Sequence, residues 1–265
     1  MDFGNLLPTG RPRQIDGISA VLLPFHANGK PNLDELAQNI SHTTAAGLTP
    51  AVNMDTGYVN LITPSQRLEI LKLATSLCPR FVAGAFVQGT LGDPNTEFLN
   101  SLQEIQEHGG VPVTFPCDWL KELSDSDTVR AFEGFANYAP EYIGFELGEM
   151  FVPFGRIYSL EVFRDLIQIP QMSGLKHSSL RRDFEWARLR VRDEVRPDFR
   201  VYTGNDLAID MVMWGSDYLL GLSAFHPEAF STRDRWWTQG DFRFFELNDA
   251  LQYLGAFAFR PPVPA

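Results

Sequence analysis

Short apolar runs recur along the chain, and each is followed by a stretch whose apolar residues return at helical spacing. The runs are ISAVLLPF (18–25), TPAVNM (49–54), FVAGAFV (81–87), VPVTFP (111–116), YIGFELG (142–148), MSGLKHS (172–178), RVYTG (200–204) and DYLLGLS (217–223). They are β-branched or aromatic in character and nearly continuous, which predicts strands buried on both faces of a parallel sheet. The stretches between them predict helices. NLDELAQNISHTTAAG (32–47) opens on an Asn cap and closes on Gly, and TPSQRLEILKLATSL (63–77) carries Pro in its first turn. PNTEFLNSLQEIQEHGG, DSDTVRAFEGFANYA, SLEVFRDLIQ, RRDFEWARLRVRDEV, LAIDMVMWG and PEAFSTRDRWWTQ fill the remaining slots. Eight strand–helix units in one chain predict a single α/β domain of (β/α)₈ TIM-barrel type, which typically needs about 250 residues. Its expected bounds are 17–241, after an N-terminal extension (1–16) and before a C-terminal helix and tail (242–265). No G-x-G-x-x-G follows the first strand, which disfavours a dinucleotide-binding open sheet.

Composition narrows the function. The 265 residues carry a net charge of −11, without a basic cluster. Phosphate backbones and anionic membrane surfaces need concentrated Lys and Arg, so neither is an expected partner. Cys78 and Cys117 match no metal spacing and suggest no disulfide framework. The first residues, MDFGNLLPTGRPRQIDG, lack the apolar stretch of a signal peptide, and no run approaches the length of a membrane span. A cytoplasmic protein is expected, without a cofactor.

In an α/β barrel the chemistry gathers at the C-terminal ends of the strands. Lys176 stands out there, because it interrupts the apolar run MSGL and a buried ammonium without a partner is costly. Pointing inward, such a lysine is driven by desolvation toward the neutral amine, which attacks carbonyls. Pointing outward, it is a strand-end lysine reaching solvent or pairing with a carboxylate. Asp55, Thr56 and Gly57 end the second strand. The Thr56 hydroxyl and nearby backbone N–H groups suit a substrate carboxylate, although Asp and Gly also favour a plain turn. Glu146 and Glu149 end the fifth strand and suit acid–base work, or pairing with Arg156. Asn205 and Ser223 are candidate substrate contacts, whereas Asp206 reads as a helix cap. His177 follows Lys176, so alternation turns it toward a covering helix.

With these residues in place, the chain resembles the dihydrodipicolinate synthase/N-acetylneuraminate lyase superfamily of Schiff-base, class I aldolases, from about Gly17 to about Pro227. GISAVLLPF is similar to the family's first strand, MDTGYVNLITPSQRLEIL to its carboxylate loop and helix, and FVAGAF to its third strand. SGLKHSS is similar to the strand that carries the Schiff-base lysine, and VYTGND with GSDYLLGLS to the last two strand ends. The resemblance implies that Lys176 attacks the ketone of pyruvate or a related 2-oxo acid. It implies that Thr56 holds the carboxylate with Asp55 beside it, that Arg156 contacts a second carboxylate, and that the protein forms a dimer or tetramer.

The chain departs from the pattern in several places. TFPCDW lacks the family's strand-four tyrosine, and FELGEMFVP lacks a second tyrosine motif. Asp55 replaces a neutral hydroxyl, and Tyr58 replaces a glutamate. The C-terminus is also shorter than the pattern suggests. The losses favour a divergent lyase, aldolase or dehydratase over dihydrodipicolinate synthase itself, with Glu146 or Tyr58 taking over proton transfer. Two other readings are a non-catalytic ligand-binding barrel and a metal-dependent enzyme using His26, Asp55, Glu146 or His177.

Overall fold

A computed structural model describes residues 12–87 and 92–258. Eight parallel strands close into a barrel in chain order: β1 (Gly17–Ala20), β2 (Thr49–Val52), β3 (Val82–Ala85), β4 (Val111–Thr114), β5 (Tyr142–Leu147), β6 (Met172–Ser178), β7 (Arg200–Thr203) and β8 (Asp217–Leu220). The expected (β/α)₈ barrel is therefore the observed one. Most apolar runs extend several residues beyond their strands, because the chain stays buried as it leaves the sheet for the mouth. Val21 and Leu23 after β1, and Met54 after β2, show this.

The helices form where capping and periodicity predict. α1 (Leu33–Ala45) is capped by Asn32, whose side chain accepts from the Glu35 N–H. α2 (Pro64–Leu77) opens with a capping box between Thr63 and Gln66, so two otherwise orphaned N–H groups are satisfied together. α3 (Pro94–Glu107) starts at an Asp93 cap. A short α4 (Asp118–Glu122) precedes α5 (Asp125–Phe135), α6 (Leu160–Leu166) and α7 (Arg182–Val195). α8 (Pro227–Gln239) and α9 (Arg243–Ala258) complete the set. The slot after β7 departs from expectation. Residues Ile209–Trp214 form a 3₁₀ helix, with Ile209, Met211 and Val212 buried. Only thirteen residues separate Thr203 from Asp217, which leaves room for a tight turn of helix and little more. The last helix forms as expected; residues 1–11 and 259–265 of the two terminal segments lie outside the described residues.

Alternation along the strands sorts the core. Ile18, Ala20, Ala51, Val82, Val113, Ile143, Phe145, Tyr202 and Leu219 belong to one buried cluster that fills the ring. A larger cluster, including Leu36, Ile70, Phe98, Phe132, Phe163 and Leu189, packs the helices onto the outside. Polar residues tie up the N-terminal end of the ring: Tyr202 donates to Asp16 at 2.9 Å, and Arg13 and Arg200 both pair with Asp217. No helix among the described residues is long and apolar enough to cross a membrane.

Candidate active site

The register across β5, β6 and β7 places Lys176. Phe145 pairs with Lys176, and Lys176 with Tyr202. Residues paired across a sheet share a face, and Phe145 and Tyr202 both lie in the cluster that fills the ring. Lys176 therefore points inward. It is 3% exposed, and its Nζ sits 4.2 Å from the centroid of the Phe145 ring. Asp55 Oδ1 lies 3.6 Å from Nζ, too far for a good hydrogen bond but close enough for strong attraction. Ser178, two residues on, shares this face and is buried. Gly204 gives the lysine its room: a Cβ there would lie 2.9 Å from Lys176 Cε and would collide with Ser178 Oγ.

Asp206 completes the mouth. It was expected to cap a helix, and its Oδ1 does accept the Leu222 N–H at 3.1 Å. Burial also pushes its carboxyl up to about 6, against the opposing pulls of that N–H and of Lys176, and with a further push from Asp55. Asp206, Asp55 and Lys176 thus feel one another. Gly221 is the hinge of this arrangement: a Cβ on it would meet Thr56 Cγ2 at 2.8 Å and Asp206 Oδ2 at 3.9 Å. Sequence reasoning missed Asp206 because Gly-Asn-Asp before a helical segment looks like a cap. The usable signal was the strand-end position that had already selected Lys176.

Several other predicted contacts turn toward the backbone. Thr56 Oγ1 donates to Ala20 O at 3.1 Å or Val21 O at 3.4 Å. The Gly57 N–H closes the turn onto Met54 O at 3.1 Å. Asn205 Oδ1 accepts the Leu207 N–H, and the Ser223 hydroxyl donates to Leu220 O. Tyr58 adopts a left-handed φ of 51° and packs edge-on against Phe25, half exposed.

Two expectations need correction. Glu146 is not in the mouth. It pairs with His177 across β5 and β6, on the outer face opposite Phe145 and Lys176. There it is fully buried under α7. Both its oxygens are engaged: Oε1 accepts from His177 Nδ1 at 2.6 Å and from Arg188 Nε, while Oε2 accepts from an Arg188 terminal N–H at 2.8 Å and from the Tyr158 N–H at 2.9 Å. Burial alone would raise this carboxyl, but Arg188 and His177 outweigh it and hold it at about 2. An acid so firmly ionised, and walled off from the ring, has no part in proton transfer at Lys176. Period two along Tyr142–Leu147 held the clue, since Ile143, Phe145 and Leu147 are the inward set. Arg156 also faces away. It donates to Leu123 O at 2.7 Å and Thr128 Oγ1 at 3.0 Å, and it pairs with Asp125. Those partners occupy the donors expected to meet a second carboxylate.

The metal reading finds no cluster: among the described residues, no three His, Cys, Asp or Glu side chains are grouped to hold an ion. Asp55 stands at the mouth of the ring, while Glu146 and His177 lie on its outer face.

No family model matches the sequence, and no curated protein matches it. Solved structures do match in three dimensions. The chain has the fold of the dihydrodipicolinate synthases. A monomeric dihydrodipicolinate synthase variant superposes with a TM-score of 0.81 at 15% identity, over 95% of this chain and 84% of the other. A prophage protein of the dihydrodipicolinic acid synthase family from E. coli K12, in complex with pyruvate, gives a TM-score of 0.79 at 16% identity, over 92% and 82% of the two chains. A 2-keto-3-deoxygluconate aldolase variant from Sulfolobus solfataricus, holding L-2-keto, 3-deoxy-galactonate, gives 0.69 at 18%, over 91% and 78%.

Proposed function

We propose that the protein is a divergent member of the dihydrodipicolinate synthase superfamily and a Schiff-base lyase, with Lys176 as its nucleophile. The observation that carries this reading is one buried primary amine, facing into the ring at the C-terminal end of β6. Folds of this kind place their reacting groups there. Two of the matched structures hold pyruvate and a keto sugar acid, which supports a small oxo compound as the partner of that amine.

The chemistry follows from the surroundings of Nζ. The amine adds to a carbonyl carbon and water departs, leaving a protonated imine. That cation lies over the face of Phe145 and beside Asp55, and both stabilise positive charge. Electrons from a bond one carbon away can then drain into the imine, so a C–C or C–O bond breaks or forms there. Hydrolysis returns the amine. Proton transfer falls to groups on the inner face. Asp206, poised near neutrality by burial, is suited to exchange protons in either direction, with Tyr58 at the rim as a second candidate.

The test is reductive trapping. Incubation with small oxo compounds and borohydride, followed by intact-mass and peptide analysis, should give one adduct on Lys176. Lys176→Arg should abolish it. The chain has four lysines (Lys30, Lys72, Lys121 and Lys176), so the other three report background labelling within the same molecule. Labelling of Lys176 no greater than theirs would exclude the imine.

A further inference from the structure

We propose that Asp55 is the acid–base catalyst of imine formation, carrying protons between the Lys176 nitrogen and the departing carbonyl oxygen. This deepens the Schiff-base reading, on which it rests. It concerns the step before any bond of the substrate's carbon chain is made or broken.

Imine formation needs proton transfers at two atoms. The lysine ammonium must lose a proton before nitrogen can attack, and the oxygen of the adduct must gain protons before it leaves as water. One group beside the nitrogen can serve both, by accepting a proton and later giving it back. Among the described residues, Asp55 is the one carboxylate paired with Lys176, with Oδ1 3.6 Å from Nζ. Such contacts are often long before substrate binds and tighten around the reacting groups. The Asp55 side chain is 44% exposed, so it exchanges protons with water. Other acidic groups are engaged elsewhere. Asp206 accepts the Leu222 N–H, and Tyr58 packs on Phe25 at the rim. The Tyr202 hydroxyl donates to Asp16 at the opposite end of the ring.

The chain builds this placement. Where β2 ends, Asn53 turns the backbone with a left-handed φ of 52°, a conformation that asparagine tolerates better than most residues. Gly84 on the neighbouring strand leaves room for that turn, since a Cβ there would lie 2.2 Å from the Asn53 carbonyl oxygen. The Asn53 amide donates to Arg67 O at 3.2 Å. Beyond it, the Gly57 and Val59 N–H groups both donate to Met54 O, and the Tyr58 N–H donates to Asp55 O. Asp55 therefore sits on a pinned turn, with its carboxylate toward the lysine. Backbone strain of this kind gathers where a site must be held in one geometry.

The step balances. The Lys176 ammonium gives one proton to the Asp55 carboxylate. The amine nitrogen adds to the carbonyl carbon, and the carbonyl π pair moves to oxygen. Asp55 gives its proton to that oxygen and takes another from the nitrogen. It then protonates the hydroxyl, and the nitrogen lone pair expels water. The products are a protonated imine, one water and an ionised Asp55 beside the new cation. While Asp55 carries the proton it is uncharged, so the carboxylate of an incoming 2-oxo acid meets no charge on it as the bond forms.

The experiment follows Lys176 labelling in time. The full chain is mixed with pyruvate, or with glycolaldehyde as a second probe, and quenched with borohydride at successive times; intact mass gives a rate and a final extent. Asp55→Asn should slow the rate about a hundredfold, the scale of general acid–base catalysis. The final extent should stay within a few-fold, because nitrogen carries the same positive charge before and after the step. Asp55→Glu keeps the carboxyl on a longer stem and should label at least about tenfold faster than Asp55→Asn. Asp55→Ser, which also lacks a titrating side chain, serves if Asp55→Asn does not fold. Labelling of the Asn variant at the parent rate overturns the proposal and leaves the Schiff-base reading intact. So does a Glu variant no faster than the Asn variant, or a fall in extent as large as the fall in rate, which marks a structural role. A parent protein in which neither compound labels Lys176 above Lys30, Lys72 and Lys121 overturns both.

Discussion

Lys176 and His177 are neighbours in sequence, yet they belong to two different electrostatic worlds. On the inner face, the Lys176 ammonium and Asp55 approach to 3.6 Å without a hydrogen bond, and the Asp55 side chain is 44% exposed. On the outer face, Glu146, His177 and Arg188 lock together at hydrogen-bond distance with no exposure. Beside them Glu185 accepts from Ser216 at 2.5 Å and Thr203 at 3.0 Å, fixing α7 to β7. Loosely paired charges are available for chemistry, whereas tightly hydrogen-bonded ones serve structure. Burial of an ionisable residue therefore does not by itself mark a reacting group; what distinguishes the two faces is that both oxygens of the outer carboxylate are already engaged, although His177 Nε2 behind it has no partner.

Three substitutions separate the faces. The largest effect should come from Glu146→Gln, which leaves the Arg188 guanidinium buried without a counter-charge at a cost of about 3–5 kcal/mol. Thermal and urea unfolding would measure that loss, while labelling of Lys176 in the molecules that remain folded should continue at the normal rate. Equal loss of stability and labelling would join the two faces into one functional unit. In the unaltered protein the Glu146 carboxyl is held at about 2, below its ordinary 4.5. Its stabilisation is thus fully present above pH 4.5 and should fade as pH falls toward 2.

Asp206→Asn should act in the opposite direction. Its carboxyl is raised to about 6 from an ordinary 3.8, so ionising it in the folded protein is unfavourable. Stability is highest below the ordinary value and is lost as pH rises through 6. An amide cannot ionise, so the variant should be more stable than the parent by up to about 3 kcal/mol at pH 8 and no more stable at pH 3. If Asp206 works as a base, Lys176 labelling in the parent should also rise with pH through about 6, and the variant should lose that limb. A pH-independent stability difference would remove Asp206 from the mouth's electrostatics.

Gly204→Ala should have the smallest effect on stability. Its methyl would press on Lys176 Cε and Ser178, costing about 1–3 kcal/mol by overpacking. Labelling should nevertheless fall sharply, because the new atom intrudes on the lysine stem. Unchanged labelling would show that the lysine approaches its target from another side.

Much of this was legible in the sequence. Alternating strand and helix patterns gave the barrel, and one lysine breaking an apolar strand gave the nucleophile candidate. Inward or outward facing was harder, because it depends on register between strands distant in sequence. Glu146 was placed in the mouth from its strand-end position alone, although period two on β5 assigns it to Phe145's opposite face. Asp206 was hidden for a different reason. The same carboxylate both caps a backbone N–H and faces the lysine, and only the cap is local. The 3₁₀ segment at Ile209–Trp214 reads as an ordinary helix because six residues are too few to separate a period of three from one of 3.6.

The bare backbone at Gly204 also bears on how such a barrel could change its trade. A single methyl group added there would crowd the amine without dismantling the Glu146–His177–Arg188 clasp behind it. The scaffold could thus fall silent in one mutational step and remain folded, and the reverse step could restore its chemistry just as simply.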